Sequence, residues 1–179
     1  MADIIGTNGD DILRGNYDEA NTINGLAGND TIYTERGNDT LTGGGGNDKF
    51  VKYYNAYDNT TAVITDFGGV GKGTNPTATV IAEVDTLEFQ GDGSTARNLL
   101  LTQKGNNLEI SFEDDANTTR VFGVPVILQN FALENLNNLS KSTGATVDLG
   151  NILFSDQTNT TDRLDVFNAN STQSKLFHI

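Results

Sequence analysis

Residues 6–51 read GTNGDDILR, GNYDEANTIN, GLAGNDTIY, TERGNDTLT and GGGGNDKFV when the chain is cut at its own period. Four of these five units are nine residues long and the second has ten. Each opens on a turn rich in Gly and Asn, reaches Asp or Asn at a fixed place, and closes on a short triplet with an apolar centre. A short fixed period is the signature of a stacked solenoid, in which each unit buries its apolar face only against its neighbours.

The centres of the triplets are Leu13, Ile23, Ile32, Leu41 and Phe50. Alternate residues of a strand face opposite sides, so these five point inward while Thr22, Asn24, Thr40 and Thr42 face water. Three residues span only about 10 Å, too short for an ordinary hairpin sheet. Parallel stacking with a turn after every strand resolves this, with two units to each coil. The expected fold is all-β: a short parallel β-roll, two nonapeptides per coil, capped by a β-rich C-terminal module.

The chemistry lies in the turns. Gly9, Gly28, Gly37 and Gly46 share the fourth place of their units, where glycine admits positive φ and lets carbonyls converge. Asp11, Asp30, Asp39 and Asp48 share the acidic place, which Asn21 takes in the ten-residue unit. In a two-unit coil Asp11, Asp30 and Asp48 stack along one edge, and Asn21 and Asp39 along the other. No Lys or Arg lies in the turns of the first edge. Stacked carboxylates and converging carbonyls repel one another unless a cation separates them. A hard cation with six to eight oxygen ligands matches this set, and calcium suits its flexible geometry better than magnesium.

Composition narrows the alternatives. The 179 residues carry a net charge of −13, which argues against a nucleic-acid partner. There is no Cys and one His, His178, which removes disulfides, thiolate metal sites and His-based nucleophile pairs. No HExxH or GxSxG occurs, so no enzyme is expected. No apolar run approaches the roughly 20 residues of a membrane span. The N-terminus MADIIGTNGDD lacks the basic and apolar regions of a cleavable signal peptide.

The units GGGGNDKFV and GLAGNDTIY closely resemble the repeats-in-toxin (RTX, hemolysin-type) nonapeptide, GGxGxDxUx with U apolar. That resemblance implies a parallel β-roll holding about two to four calcium ions. In the family an ion lies between successive turns on one edge, bound by carbonyls and by the Asp of each turn. Carried over, Gly6, Asn8 and Asp11 pair with Leu26, Gly28 and Asp30. Gly25, Ala27 and Asp30 pair with Gly44, Gly46 and Asp48. On the other edge Gly15, Tyr17 and Asn21 pair with Glu35, Gly37 and Asp39. This third site departs from the pattern: its second unit has an extra residue and a neutral Asn, and its fourth begins Thr34-Glu35-Arg36. It is expected to be weaker or empty. Gly43 and Gly45, with Asp66 of VITDF, extend the set to a terminal site. Asp85 of VDTLEF is a weaker candidate, and the family frequently has another Asp where this chain has Ala62.

Beyond the metre, LEISF (108–112) alternates as a half-buried strand after a turn at Lys104–Asn107, and FALENLNNL (131–139) suggests a short helix. Pro125 suggests an edge strand or bulge. Tyr53, Tyr54 and Tyr57 read as strand surface or core rather than a sugar-stacking patch. Glu113-Asp114-Asp115 reads as a solvated hairpin tip. The expected organisation is a roll over 1–67, a capping module over 68–154 and a polar tail over 155–179, which is a secretion signal or a fragment end. Residues 94–154 resemble modules that follow β-rolls in large cyanobacterial RTX proteins. The resemblance implies a secreted, type I-exported, calcium-folded structural module. The alternatives are an adhesin or surface-layer element, or an accessory module of a secreted enzyme. A surface glycan or protein partner stays open.

Overall fold

The computed structural model describes residues 1–53, 58–69, 77–91, 94, 99–112, 123–139 and 152–154. Its strands are β1 (Ala2–Ile5), β2 (Ile12–Arg14), β3 (Asn21–Ala27), β4 (Thr31–Thr34), β5 (Thr40–Gly45), β6 (Lys49–Tyr53), β7 (Ala62–Ile64), β8 (Thr86–Gln90), β9 (Leu99–Lys104), β10 (Asn107–Phe112), β11 (Val126–Leu128) and β12 (Ile152–Phe154). A single helical turn, α1 (Ala78–Ile81), precedes β8, and a 3₁₀ helix spans Leu133–Leu139.

The strands sort into two sheets. One runs β1-β3-β5-β7-β11-β10-β9 and the other β12-β8-β6-β4-β2. Through β8 the chain alternates between them, so each strand pairs in parallel with the strand two places on. The fold is therefore the parallel β-roll expected from the period.

Register places one apolar residue of each repeat above the next. Ile4, Ile23, Leu41, Ile64 and Leu128 form one inward ladder. Leu13, Ile32, Phe50, Leu87 and Ile152 form the facing one. Ile23, Ile32, Leu41, Phe50 and Ile64 are fully buried in a core shared by both sheets. Such burial contributes about 1.5–3 kcal/mol per large apolar side chain.

The stacking outlasts the metre. β7 and β8 continue both ladders although the segment joining them is far longer than a nonapeptide turn, and β11 and β12 add a further layer. The first sheet then ends on the antiparallel hairpin β9–β10, whose turn uses Gly105 at φ 59°. The outer strand finishes in exposed Thr102, Gln103 and Lys104, polar residues that blunt an open edge. Aromatic rings fill this half of the core: Phe89 meets Phe112 edge-on at 4.9 Å, and Phe67 meets Phe131 at 5.4 Å.

The strand at 108–112, the turn before it and the short helix at 133–139 occur as expected. The expectation for Pro125 is corrected. It immediately precedes β11, an interior strand between β7 and β10, and its carbonyl accepts the Ala62 amide. Proline tolerates this place because it stands before the strand, where no ladder donor is needed. Tyr53 is exposed, whereas Tyr54, Tyr57, Glu113–Asp115 and the 155–179 tail lie outside the described residues.

Phe50 is fully buried between the two sheets. Phe50→Ala is expected to lower unfolding stability by about 3–5 kcal/mol in a denaturant titration at saturating calcium.

Candidate metal centre

The two edges of the roll are built from alternate turns. The turns around Asp11, Asp30 and Asp48 join the first sheet to the second, and those around Asn21 and Asp39 return. Strand register makes each acidic place a column. Asp11, Asp30, Asp48 and Asp85 each directly precede β2, β4, β6 and β8, which are paired in register. Asn21, Asp39 and Ala62 align in the same way on the opposite edge.

Each carboxylate ties its turn to the preceding one. Asp30 Oδ1 accepts the Asp11 amide at 2.8 Å, Asp48 Oδ1 the Asp30 amide at 2.9 Å, and Asp85 Oδ1 the Asp48 amide at 2.8 Å. The second carboxylate oxygen is treated differently at each level. Those of Asp30 and Asp48 are buried and have no hydrogen-bond partner, and the residues are only 1% and 2% exposed. Asp11 Oδ2 accepts from the Thr7 amide and hydroxyl at 2.6 and 2.9 Å. Asp85 Oδ2 accepts the Gly68 amide at 2.7 Å. Asp66 is exposed and takes the Gly43 and Gly44 amides at 3.0 and 2.8 Å.

The glycines make room around the orphaned oxygens. A Cβ on Gly25 would collide with Asp30 Oδ2, and one on Gly43 with Asp48 Oδ2. Gly28 and Gly46 adopt φ of 119° and 128°, and the Gly28 carbonyl packs against the Gly46 Cα. The second place of the turn is also left-handed: Gly44 has φ 101°, but Leu26 occupies the equivalent place at φ 79°. Leu26 and Ala27 pair with Gly44 and Gly45, and the Gly45 carbonyl accepts the Gly28 amide at 2.9 Å. Gly6 stacks on the Gly25 carbonyl and lies close to Asp11 Oδ2, and Asn8 is exposed in that first turn.

These residues fit a hard cation. Two buried carboxylate oxygens without donors are an uncompensated desolvation cost of several kcal/mol unless positive charge meets them. Among the described residues no three carboxylate or His side chains converge, so a cation here would need backbone carbonyls besides the carboxylates, a mixed oxygen set of the kind that suits calcium.

The other edge differs. Asp39 Oδ1 accepts both the backbone and side-chain amides of Asn21 at 2.9 Å, and Asp39 Oδ2 accepts from the Thr34 hydroxyl. Asn21 Nδ2 also reaches the Asn16 and Glu19 carbonyls at 3.0 Å, leaving its own Oδ1 buried and unpaired. Gly15 packs against the Asn21 amide, Gly37 against the Glu19 carbonyl, and Tyr17 is exposed. Arg36 Nε lies 3.6 Å from Asp18 Oδ1, and Glu35 gives its carbonyl to the buried Lys52 ammonium at 3.0 Å. Both oxygens of Asp39 thus have internal donors, whereas Asp30 and Asp48 each keep one oxygen without a donor.

A second polar ladder is not evident from the sequence pattern alone. Asp10 Oδ1 accepts the Asn29 amide at 2.7 Å and Asn29 Oδ1 the Asn47 amide at 2.9 Å. Asn38 Oδ1 does the same for Thr61 at 2.9 Å on the opposite edge. Its trace in the sequence is the Asn or Asp that precedes the acidic place in four units. Lys52 and Asp58 likewise join the site without a signal in the repeat.

Burial pushes the Asp48 carboxyl up to about 6, and the Asp30, Asp66 and Glu83 charges add to the effect. Burial likewise pushes Asp85 up to about 8, with Asp48 and Asp66 contributing, and raises Asp30. Asp58 moves the other way: burial opposes its ionisation, but the Thr60 hydroxyl and amide and the Lys52 ammonium outweigh it.

Residues 3–19 and 17–50 match the family profile described as RTX calcium-binding nonapeptide repeat, so this segment is an RTX calcium-binding repeat region. Among solved structures, the chain is similar to the AlgE6R3 subunit of the Azotobacter vinelandii mannuronan C5-epimerase. Identity there is 20%, with 88% of this chain and 82% of that chain covered and a TM-score of 0.25. It is also similar to the AlgE6R2 subunit of that enzyme, at 24% identity over 84% and 91% of the two chains and a TM-score of 0.27. No curated protein matches the chain.

Carboxyls with raised folded-state pKa bind protons more tightly when folded, so the metal-free fold is most stable below the ordinary Asp pKa. It should lose stability as pH rises from about 4 to about 8, while calcium affinity rises over the same interval. Thermal melts in chelator and calcium titrations across that range read both slopes, which should be opposite. Leu26→Gly relieves a left-handed leucine and should raise stability by up to about 1 kcal/mol, measured by denaturant titration in calcium.

Proposed function

We propose that this chain is a non-catalytic calcium-binding module that folds on binding calcium outside the cell, with its metal held along the Asp11–Asp30–Asp48 edge. The observation that carries this reading is the pair of orphaned buried oxygens, Asp30 Oδ2 and Asp48 Oδ2, beneath Gly25 and Gly43. The reading is supported by the match of residues 3–50 to calcium-binding repeats.

Each level has a distinct part in the proposed site. Asp30 and Asp48 use one oxygen to fix the spacing between turns and offer the other to the ion. Gly6, Asn8 and Asp11 with Leu26, Gly28 and Asp30 make the first place, and Gly25, Ala27 and Asp30 with Gly44, Gly46 and Asp48 the second. Gly43 and Gly45 with Asp66 make a terminal place, with Asp85 a weaker candidate ligand. The Asn21–Asp39 edge, with Gly15, Tyr17, Glu35 and Gly37, is proposed to stay free of calcium, because Asn21 and Thr34 satisfy Asp39. When bound, calcium supplies positive charge to the desolvated carboxylates.

The proposed switch follows from mass action. Metal stabilises the fold by about 2.7 kcal/mol per site at a hundredfold excess over Kd and by almost nothing at cytosolic calcium. Sites of extracellular modules commonly have Kd near 0.1–1 mM, roughly the range that separates the two compartments. An unfolded chain would then pass an export channel and fold beyond it.

Circular dichroism titrated with calcium tests the reading. The β signal should rise to a plateau below roughly 10 mM calcium. Asp30→Asn and Asp48→Asn should each move the midpoint up by about tenfold or more, whereas Asp39→Asn should move it less than about threefold. A calcium-indifferent spectrum, or equal effects of all three substitutions, would defeat it.

A further inference from the structure

The second edge carries a buried ion pair, Lys52 with Asp58, whose two members lie beyond the last nine-residue unit. Lys52, near the end of β6, turns its side chain inward in register with Thr34 and Phe89. Its side chain is 1% exposed and that of its partner Asp58 3%. The ammonium lies 3.0 Å from the Glu35 carbonyl, 3.4 Å from Asp58 Oδ2 and 3.4 Å from Thr60 Oγ1.

The source of these oxygens matters more than their number. Glu35 belongs to the turn between β4 and β5, and Asp58 and Thr60 to the turn between β6 and β7. These are successive turns on one edge. The Asp58 side chain is held in place by its own turn. Its Oδ1 accepts the Thr60 amide at 2.9 Å and hydroxyl at 2.7 Å, leaving Oδ2 for the ammonium. Thr60 Oγ1 also accepts the Gly37 amide at 3.2 Å, which draws the two turns together. At the place where the first edge has Asp85, this edge has Ala62, so the acidic column is interrupted at this step.

We propose that the Lys52 ammonium is the built-in cation of the second edge, joining the Glu35 and Asp58–Thr60 turns as a metal ion would and making that edge independent of calcium. A buried ammonium with a paired carboxylate and two further oxygens meets the conditions for a tolerable buried charge. Removing it leaves an ionised carboxylate, a carbonyl and a hydroxyl facing a space once filled by charge, a set suited to a hard cation and water. The inference rests on the reading that the first edge takes calcium.

Calcium stoichiometry by isothermal titration of the full chain provides the test. Lys52→Ala should bind one more calcium than the wild type, and Lys52→Ala/Asp58→Asn should lose that additional ion. Equal stoichiometry in wild type and Lys52→Ala overturns the proposal. A wild type that binds no calcium instead defeats the reading of the first edge. Where Lys52→Ala fails to fold, the calcium-loaded wild type decides through its lysine side-chain amine spectrum. One ammonium resonance protected from water exchange and lost in Asp58→Asn supports the proposal, and the absence of any such resonance overturns it.

Discussion

The structure depends on a carboxylate that must satisfy two demands at once. At each level of the first edge, one oxygen of Asp30 or Asp48 accepts an amide from the turn before it, and the other is buried without a donor. The first bond sets the register between coils. The second oxygen makes that register unfavourable in the absence of positive charge, because a desolvated carboxylate costs several kcal/mol. Stacking and cation demand are therefore properties of the same side chain.

The rest of the roll accommodates this constraint. Glycine at the first place of the unit leaves room over the orphaned oxygen, and left-handed residues at the second place (Leu26, Gly44) and the fourth (Gly28, Gly46) turn the chain sharply around it. The apolar ladders hold the sheets together, but their strands are only three to seven residues long. Register is fixed by one large apolar residue per level and by the polar ladders at the turns. The Asp10–Asn29–Asn47 ladder runs beside the carboxylates in the opposite sense, each side chain reaching the following turn. The two edges share one architecture and differ in how their carboxylates are satisfied: Asp39 has donors to both oxygens, whereas Asp30 and Asp48 each keep one without.

The inward ladders and the Asp11–Asp30–Asp48 column were legible in the sequence because both repeat with the period. Parallel stacking converts sequence period directly into spatial alignment. Legibility faded where the period broke. Asp85 occupies the same column as Asp48, but the long segment before it hides that register. The interior place of β11 was invisible because its partner β7 lies more than 60 residues earlier, and Pro125 argued locally for an edge. Lys52 was the hardest to read. A lysine in a strand is ordinarily solvated, and nothing local reveals that Asp58 and Glu35 enclose it. The Asn ladder was visible as recurrence but not as function, since Asn is also a common turn former.

The orphaned oxygens should localise metal to one edge. Anomalous scattering from crystals of the calcium-loaded chain tests this most directly, since it both counts the ions and places them. Peaks are predicted beside Asp30 and Asp48 and none between the turns of Asn21 and Asp39. A peak at Asn21–Asp39, or the absence of density beside Asp30 and Asp48 at saturating calcium, would contradict it.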